Sequence, residues 1–445
     1  VRTTDREILR LAGPAFLALV AEPLFLLVDA AVVGHLGTAQ LAGLGIAAVV
    51  LQTAVGLCVF LAYGTTAGVA RLLGAGDRRG ALTQGLDGLW LAVALGAVLT
   101  VAGVVLTGPL VAAFGVDADV AAHARTYLRI ACLGTAPLLV MLAATGVLRG
   151  LQDTRTPLVV AVGGNVVNAV LNVVLVHGLG SFDGLGIAGS AWGSVTAQVG
   201  SAAALTAVVV RGARRHGAAL RPDLAGMRAA GRAGLALVVR TLTLRAALLV
   251  TTYAVALGAG GAPDEVATHQ LAMTLWGLLA FVLDAIAIAA QAITGRALGA
   301  GDVDGTRALT RRMITWGWAS GVVTGLLLAA ASPLLAPLFT DDPDVPGLLV
   351  PVLLVAALGQ PVAGVVFVLD GVLIGAGDGR YLAWAGLVVA IVYAPLTLAA
   401  TAWWGAGLVT VWVLFTGLFM TGRLVTLLDR ARGEAWLRTG PTLAA

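Results

Sequence analysis

The sequence predicts an all-α polytopic membrane protein: twelve transmembrane helices arranged as two six-helix bundles related by a pseudo-two-fold axis. Three observations predict it. Of the 445 residues, 59% are hydrophobic and only 11% charged, too little charge to clothe a soluble protein of this length. Apolar runs long enough to cross a bilayer recur from end to end, and they are continuous rather than alternating, which argues for helices and against a β-barrel. The second half of the chain also repeats the first at a fixed offset.

The runs place six spans at 8–33, 41–72, 81–107, 118–147, 156–177 and 185–210, and six more at 233–258, 264–297, 305–331, 347–374, 381–402 and 405–428. The breaks between them carry Gly, Pro, Asp and Arg, as connecting segments do. The predicted organisation is a first lobe over 1–210, a linker over 211–232, a second lobe over 233–428 and a tail over 429–445. The first apolar helix is too long for a cleavable signal and lacks a small-residue cleavage end.

Arginine placement sets the orientation. The chain has no lysine, and of its 27 basic residues all but Arg125, Arg129, Arg240 and Arg245 fall at the N-terminus, in the even-numbered loops and the span ends beside them, or in the tail. The odd-numbered loops are acidic instead, with Asp117, Asp119, Asp183, Asp264, Glu265, Asp341, Asp342 and Asp344. This positive-inside pattern puts both termini in the cytoplasm of a multi-pass protein of the cell inner membrane. The net charge of +4 follows from that topology and is no sign of a nucleic-acid partner.

The repeat is visible in several places. LGAGD at 73–77 returns at 298–302, an offset of 225, and VLRGLQDTR at 147–155 aligns with VLIGAGDGR at 372–380 at the same offset. Each half has an even number of spans, so the halves share one orientation and the pseudo-axis runs along the membrane normal. Parallel repeats of this kind belong to transporters that work between two lobes. The GAGD stretches follow membrane helices and lack the Lys-Ser/Thr of a phosphate-binding loop, so they read as tight turns with Asp capping the next helix.

The polar residues inside the spans carry the chemistry. Glu22 and Asp29 lie seven residues apart in the first span, near one helix face, with Pro23 between them as a bend point. A charge at mid-membrane is expensive, about 2.5–3.5 kcal/mol on insertion scales. Such residues pair, face a cavity or carry ions; a buried structural acid is the other reading of Asp29. Asn165, Asn168 and Asn172 follow in span five, the last two one turn apart. Their amides suit either cation ligation or interhelical hydrogen bonding. Ser194 and Thr196 add hydroxyls in span six. The offset maps Asp29 onto Ala254 and Glu22 onto Ala247, so the second lobe lacks these acids. It has instead Arg240, Arg245, Asp284 and Asp370, among which at least one Arg–Asp pair is expected, as a structural lock or as part of transport. Cys58 and Cys132 fall in apolar runs, and no Ser-His-Asp, HExxH or metal-spaced set occurs. No enzyme, metal site or cofactor is expected.

These residues resemble a known family. PLFLLVDAAVVGHLG, LGAGDRRGA, LRGLQDTRTPL, NVVNAVLN with GLGIAGSAWGSVTAQ, and FVLDGVLIGAGD are together similar to the multidrug and toxic compound extrusion (MATE) transporters. EPLFLLVD and FVLDAIAIAAQAITGRALGAGD are similar to the DinF-like branch. The resemblance implies two bundles around a V-shaped central cavity and export by alternating access, driven by a H⁺ or Na⁺ gradient. It implies that Asp29 is the acid that binds the coupling cation, with Asn168, Asn172 and Ser194 around it. Asp370 matches the acid of span ten. Some relatives have a carboxylate where Asn172 stands, which leaves this chain one titratable group fewer.

The expected function is therefore a H⁺-coupled antiporter exporting amphipathic, often cationic, organic compounds, working in the lipid bilayer as a monomer. Na⁺-coupled drug export is one alternative. A lipid or lipid-linked saccharide flippase is another, kept open by Arg240 and Arg245.

Overall fold

The computed structural model describes residues 2–258, 263–339 and 345–441. Asp341, Asp342 and Asp344 of the predicted acidic loop lie outside them, as does the end of the predicted tail. Among the described residues, twelve helices are long and apolar enough to span a membrane: Thr4–Gly34, Thr38–Gly74, Arg78–Val105, Ala118–Gly150, Arg155–His177 and Ile187–Arg215, then Leu224–Gly258, Asp264–Gly299, Val303–Leu335, Val345–Gly375, Gly379–Trp404 and Leu408–Arg432. They are called spans 1 to 12 below.

The repeated turns form as their sequence requires. Gly76 and Gly301 adopt positive φ of 80° and 77°, a conformation that favours glycine. Asp77 and Asp302 then cap the following helices, accepting from the Gly80 and Gly305 amides at 2.7 and 2.8 Å. In the turn after span 4, Gln152 (φ 66°) stands where the turn after span 10 has Gly377 (φ 77°).

The chain divides into two compact units. One runs from Gly13 to Gly234. Its core joins Leu61, Leu82, Leu86, Leu139, Val147, Leu205 and Val209 from spans 2, 3, 4 and 6. The other begins at Leu235 and is built around span 10, whose Val366, Val368 and Leu369 are fully buried. It also includes the residues up to Ala12. Asp5 receives Nε and Nη2 of Arg312, both at 2.7 Å, and the Trp316 indole N–H at 2.9 Å, while Glu7 pairs with Arg296 at 2.5 Å. Ile8 and Leu11, in the following turn, are buried.

The division differs in two places from the lobe expected over 1–210. The start of span 1 packs with the second unit, because its acids meet arginines there. The expected linker 211–232 is mostly helical: span 6 continues to Arg215 and span 7 starts at Leu224. Asp223 caps that start, accepting from the Ala225 amide at 3.0 Å. Trp90 of span 3 donates to the Leu220 carbonyl at 3.0 Å, which docks the connection on the first unit.

Candidate functional site

Asp29 is 2% exposed, in the last two turns of span 1. Three neighbouring helices bring donors to its carboxylate. Tyr127 of span 4 donates its hydroxyl to Oδ2 at 2.8 Å. Asn172 of span 5 donates its amide to Oδ1 at 2.7 Å. The Ser190 hydroxyl of span 6 also donates to Oδ1. All three partners are buried, and all three are neutral.

Small residues on span 6 make the assembly possible. A Cβ at Gly193 would lie 2.2 Å from Asn172 Oδ1, so only glycine lets span 6 close on span 5 at this height. Asn168, one turn before Asn172, is 1% exposed, and neither atom of its amide group meets a hydrogen-bond partner among the described residues. Asn172 Oδ1 is likewise without one. Ser194 is buried one turn after Ser190, against the Tyr127 hydroxyl. Asn165, half-buried on the same face of span 5, donates to the Ala21 carbonyl at 2.6 Å. Glu22 is exposed on span 1 and outside this cluster. Span 1 remains helical through Pro14 and Pro23.

The second unit treats its buried acid differently. Asp370 Oδ2 accepts from Arg240 Nη2 at 2.6 Å and from Arg423 Nη2, so one carboxylate oxygen is shared by two guanidinium groups. Asp284 is half-buried on span 8, and Arg245 is exposed on span 7. At the positions equivalent to Asp29, Asn168 and Asn172, 225 residues on, stand Ala254, Tyr393 and Thr397. Tyr393 bonds Thr251 at 2.7 Å and packs on Phe419. An alanine stands in the place of the acid, and a tyrosine and a threonine in the places of the two amides.

Three contributors escaped the sequence reading. Ser190 lies one turn before Ser194, the hydroxyl that the sequence suggests. Tyr127 shares a helix face with buried Ala121, Ala124, Leu128 and Ala131, and that small-residue stripe was its signal. Arg423, which the charge pattern places with the arginines beyond the membrane, is buried instead, well inside span 12, where its long side chain turns inward to the Asp370 carboxylate. Arg71, placed the same way, is also buried.

This architecture has relatives. The MatE family profile matches residues 14–174 and 236–399, both halves of the chain. The chain belongs to the MATE family of transporters. It is 32% identical over 452 residues to the chloroplastic protein DETOXIFICATION 44 of Arabidopsis thaliana, covering 98% of this chain and 83% of that one. It is 30% identical to DNA damage-inducible protein F of Escherichia coli K12, covering 91% and 87%, in keeping with the DinF-like resemblance. The fold matches the outward-facing conformation of a multidrug resistance MATE family transporter with a TM-score of 0.87 at 22% identity, covering 97% and 96% of the two chains. MATE transporters handle small organic substrates, and this member is a multi-pass helical membrane protein.

Proposed function

We propose that the chain is a H⁺-coupled antiporter that exports amphipathic, often cationic, organic compounds, and that Asp29 is the group that takes the coupling proton. One observation carries this reading: Asp29 is buried among neutral donors, and no arginine pairs with it among the described residues. A buried carboxylate held only by hydroxyls and an amide leaves its charge for a proton or a small cation to balance. Asp370 has two permanent cations and does not need one. Proton binding at Asp29 would remove the charge that strengthens its bonds from Tyr127, Asn172 and Ser190, loosen the last turns of span 1, and let the transporter change its access. Asn168, Asn172 and Ser194 shape the site, while Asp370, Arg240 and Arg423 hold the second unit together. The protein would work as a monomer in the inner membrane with both termini cytoplasmic.

The unpartnered oxygens of Asn168 and Asn172 favour a second reading, in which Na⁺ is the coupling ion, since amide and carboxylate oxygens are ligands for hard cations.

The test is flux of a fluorescent organic cation in proteoliposomes under separate H⁺ and Na⁺ gradients, for wild type and Asp29→Asn. Flux driven by the proton gradient and lost in the variant is expected. Flux that needs Na⁺ changes the ion. Coupled transport by the variant at the wild-type rate overturns the role of Asp29, and absence of flux under both gradients from folded protein favours a lipid or lipid-linked saccharide flippase.

A further inference from the structure

Span 5 is tied to span 1 at two heights. Asn165 Nδ2 reaches the Ala21 carbonyl at 2.6 Å, and Asn172 Nδ2 reaches Asp29 Oδ1 at 2.7 Å. The sequence separations are 144 and 143, so the helices run parallel and in step, and the two bonds are rungs roughly 10–12 Å apart along their axes. Glu22 and Pro23 lie between the rungs on span 1. Pro23 has no N–H for the Leu19 carbonyl, which makes this turn the weak point of the interval.

The rungs differ in kind. The Asn172 rung ends on a carboxylate and depends on its charge. The Asn165 rung ends on a backbone carbonyl, a neutral acceptor that no proton removes. Loss of charge at Asp29 therefore weakens one rung and leaves the other intact, with the proline turn between them.

We propose that Asn165 is a positioning residue for coupling: it holds the part of span 1 before Pro23 to span 5, so that release of Asp29 frees only the part beyond the proline. This rests on Asp29 being the proton-binding group. Without the Asn165 rung, the whole of span 1 from Pro14 onward would loosen together, and proton binding would no longer be converted into a defined bend. Asn165 touches neither the proton site nor its carboxylate, so its effect is on coupling and not on proton binding itself.

The experiment uses the full chain in lipid nanodiscs and proteoliposomes, as wild type, Asp29→Asn, Asn165→Ala, Asn165→Gln and the Asp29→Asn/Asn165→Ala pair. Proton release on adding an organic cation, present in wild type and absent in Asp29→Asn, reads the coupling function of Asp29 alone. Backbone hydrogen exchange over residues 14–34 reads the rungs. In Asp29→Asn, exchange should rise beyond Pro23 and stay low at 17–22. In the double variant it should rise on both sides, about tenfold before the proline, the effect of losing one hydrogen bond of ordinary strength. Asn165→Ala alone should keep proton release while gradient-driven flux falls about tenfold, and Asn165→Gln, which keeps the amide donor, should recover part of it. A residue that mattered only for folding would lower proton release and flux together. Exchange that rises on both sides of Pro23 in Asp29→Asn with Asn165 intact overturns the proposal, as does an Asn165→Ala protein with wild-type flux. Proton release that persists in Asp29→Asn overturns the coupling role of Asp29 instead, whatever the exchange pattern.

Discussion

Tyr127 donates its hydroxyl to Asp29 Oδ2 at 2.8 Å, joining residues 98 apart in sequence. Both are buried, and the phenol is the donor held by this oxygen, while Asn172 and Ser190 share the other. Tyr127→Phe removes the oxygen and keeps the ring. A hydrogen bond to a charged group contributes about 1.5–3 kcal/mol, so the variant should lose stability in that range and proton-driven flux by tenfold or more. The check is thermal unfolding in detergent beside flux in proteoliposomes. The stability loss should be clearly smaller when Tyr127→Phe is made in Asp29→Asn, because the phenol then serves only a neutral amide oxygen. A Tyr127→Phe protein as destabilised in that background as in wild type would show that the hydroxyl does not act through Asp29.

The close approach of span 6 to span 5 yields a second prediction. An alanine methyl at Gly193 would stand 2.2 Å from Asn172 Oδ1, nearer than any carbon tolerates, so either the amide or the helix must move. Overpacking of this sort costs about 1–3 kcal/mol. Gly193→Ala should unfold at lower temperature and transport poorly even though it removes no polar group. Gly200, on the same helix with nothing within 4 Å of a Cβ, is the control: Gly200→Ala should fold and transport normally. Equal behaviour of the two variants would mean that the contact does not matter.

How far the fold and the site could be read from sequence depends on what each rested on. Twelve spans and two halves were legible because hydrophobic length and a repeated LGAGD turn are local signals. Asp29 was legible because an acid in an apolar span is expensive and conspicuous. Tyr127 was not, since a tyrosine in a membrane helix has ordinary reasons to be there and only its facing neighbours reveal the bond. Arg423 was misassigned for a related cause. Its position near the end of an apolar run fits a lipid-surface arginine equally well, and Asp370, 53 residues away, decides between the two. The start of span 1 behaves likewise: its apolar pattern continues through Ala12 and Gly13, and nothing local shows that Asp5 and Glu7 meet Arg312 and Arg296.

The three-residue ion cluster of the second unit leads to a third prediction. Asp370 is the shared partner of Arg240 and Arg423. Removing it leaves two guanidinium groups in a buried place, whereas removing one arginine leaves a simple pair. Breaking a buried pair costs about 3–5 kcal/mol. Asp370→Asn should therefore be among the most destabilised single variants of this chain, and Arg423→Met, which leaves the Arg240 pair, should lose less. Asp29→Asn should be mild by comparison, because its amide group can still meet neutral partners. Thermal unfolding of the three proteins in one detergent gives the order. An Asp370→Asn protein as stable as wild type would mean that the two arginines find other acceptors, and the cluster is then no lock.

The last prediction concerns the start of span 1. Asp5 meets Arg312 through two parallel bonds of 2.7 Å and also takes the Trp316 indole N–H at 2.9 Å. The pair is half-open to solvent, with side-chain exposures of 22% for Asp5 and 38% for Arg312, so it lies between a surface bridge and a buried one. Exposed pairs contribute little, and bidentate geometry makes this one stronger than a single-bond pair of the same exposure. A double-mutant cycle with Asp5→Asn and Arg312→Gln should give a favourable coupling at low salt, falling as ionic strength rises because solvent ions screen half-open charges. The same cycle on Glu7 and Arg296, which meet through one bond of 2.5 Å, should give a smaller value. Couplings that are equal and indifferent to salt would mean that the start of span 1 is held by Ile8 and Leu11 alone, with the charges only decorating an apolar contact.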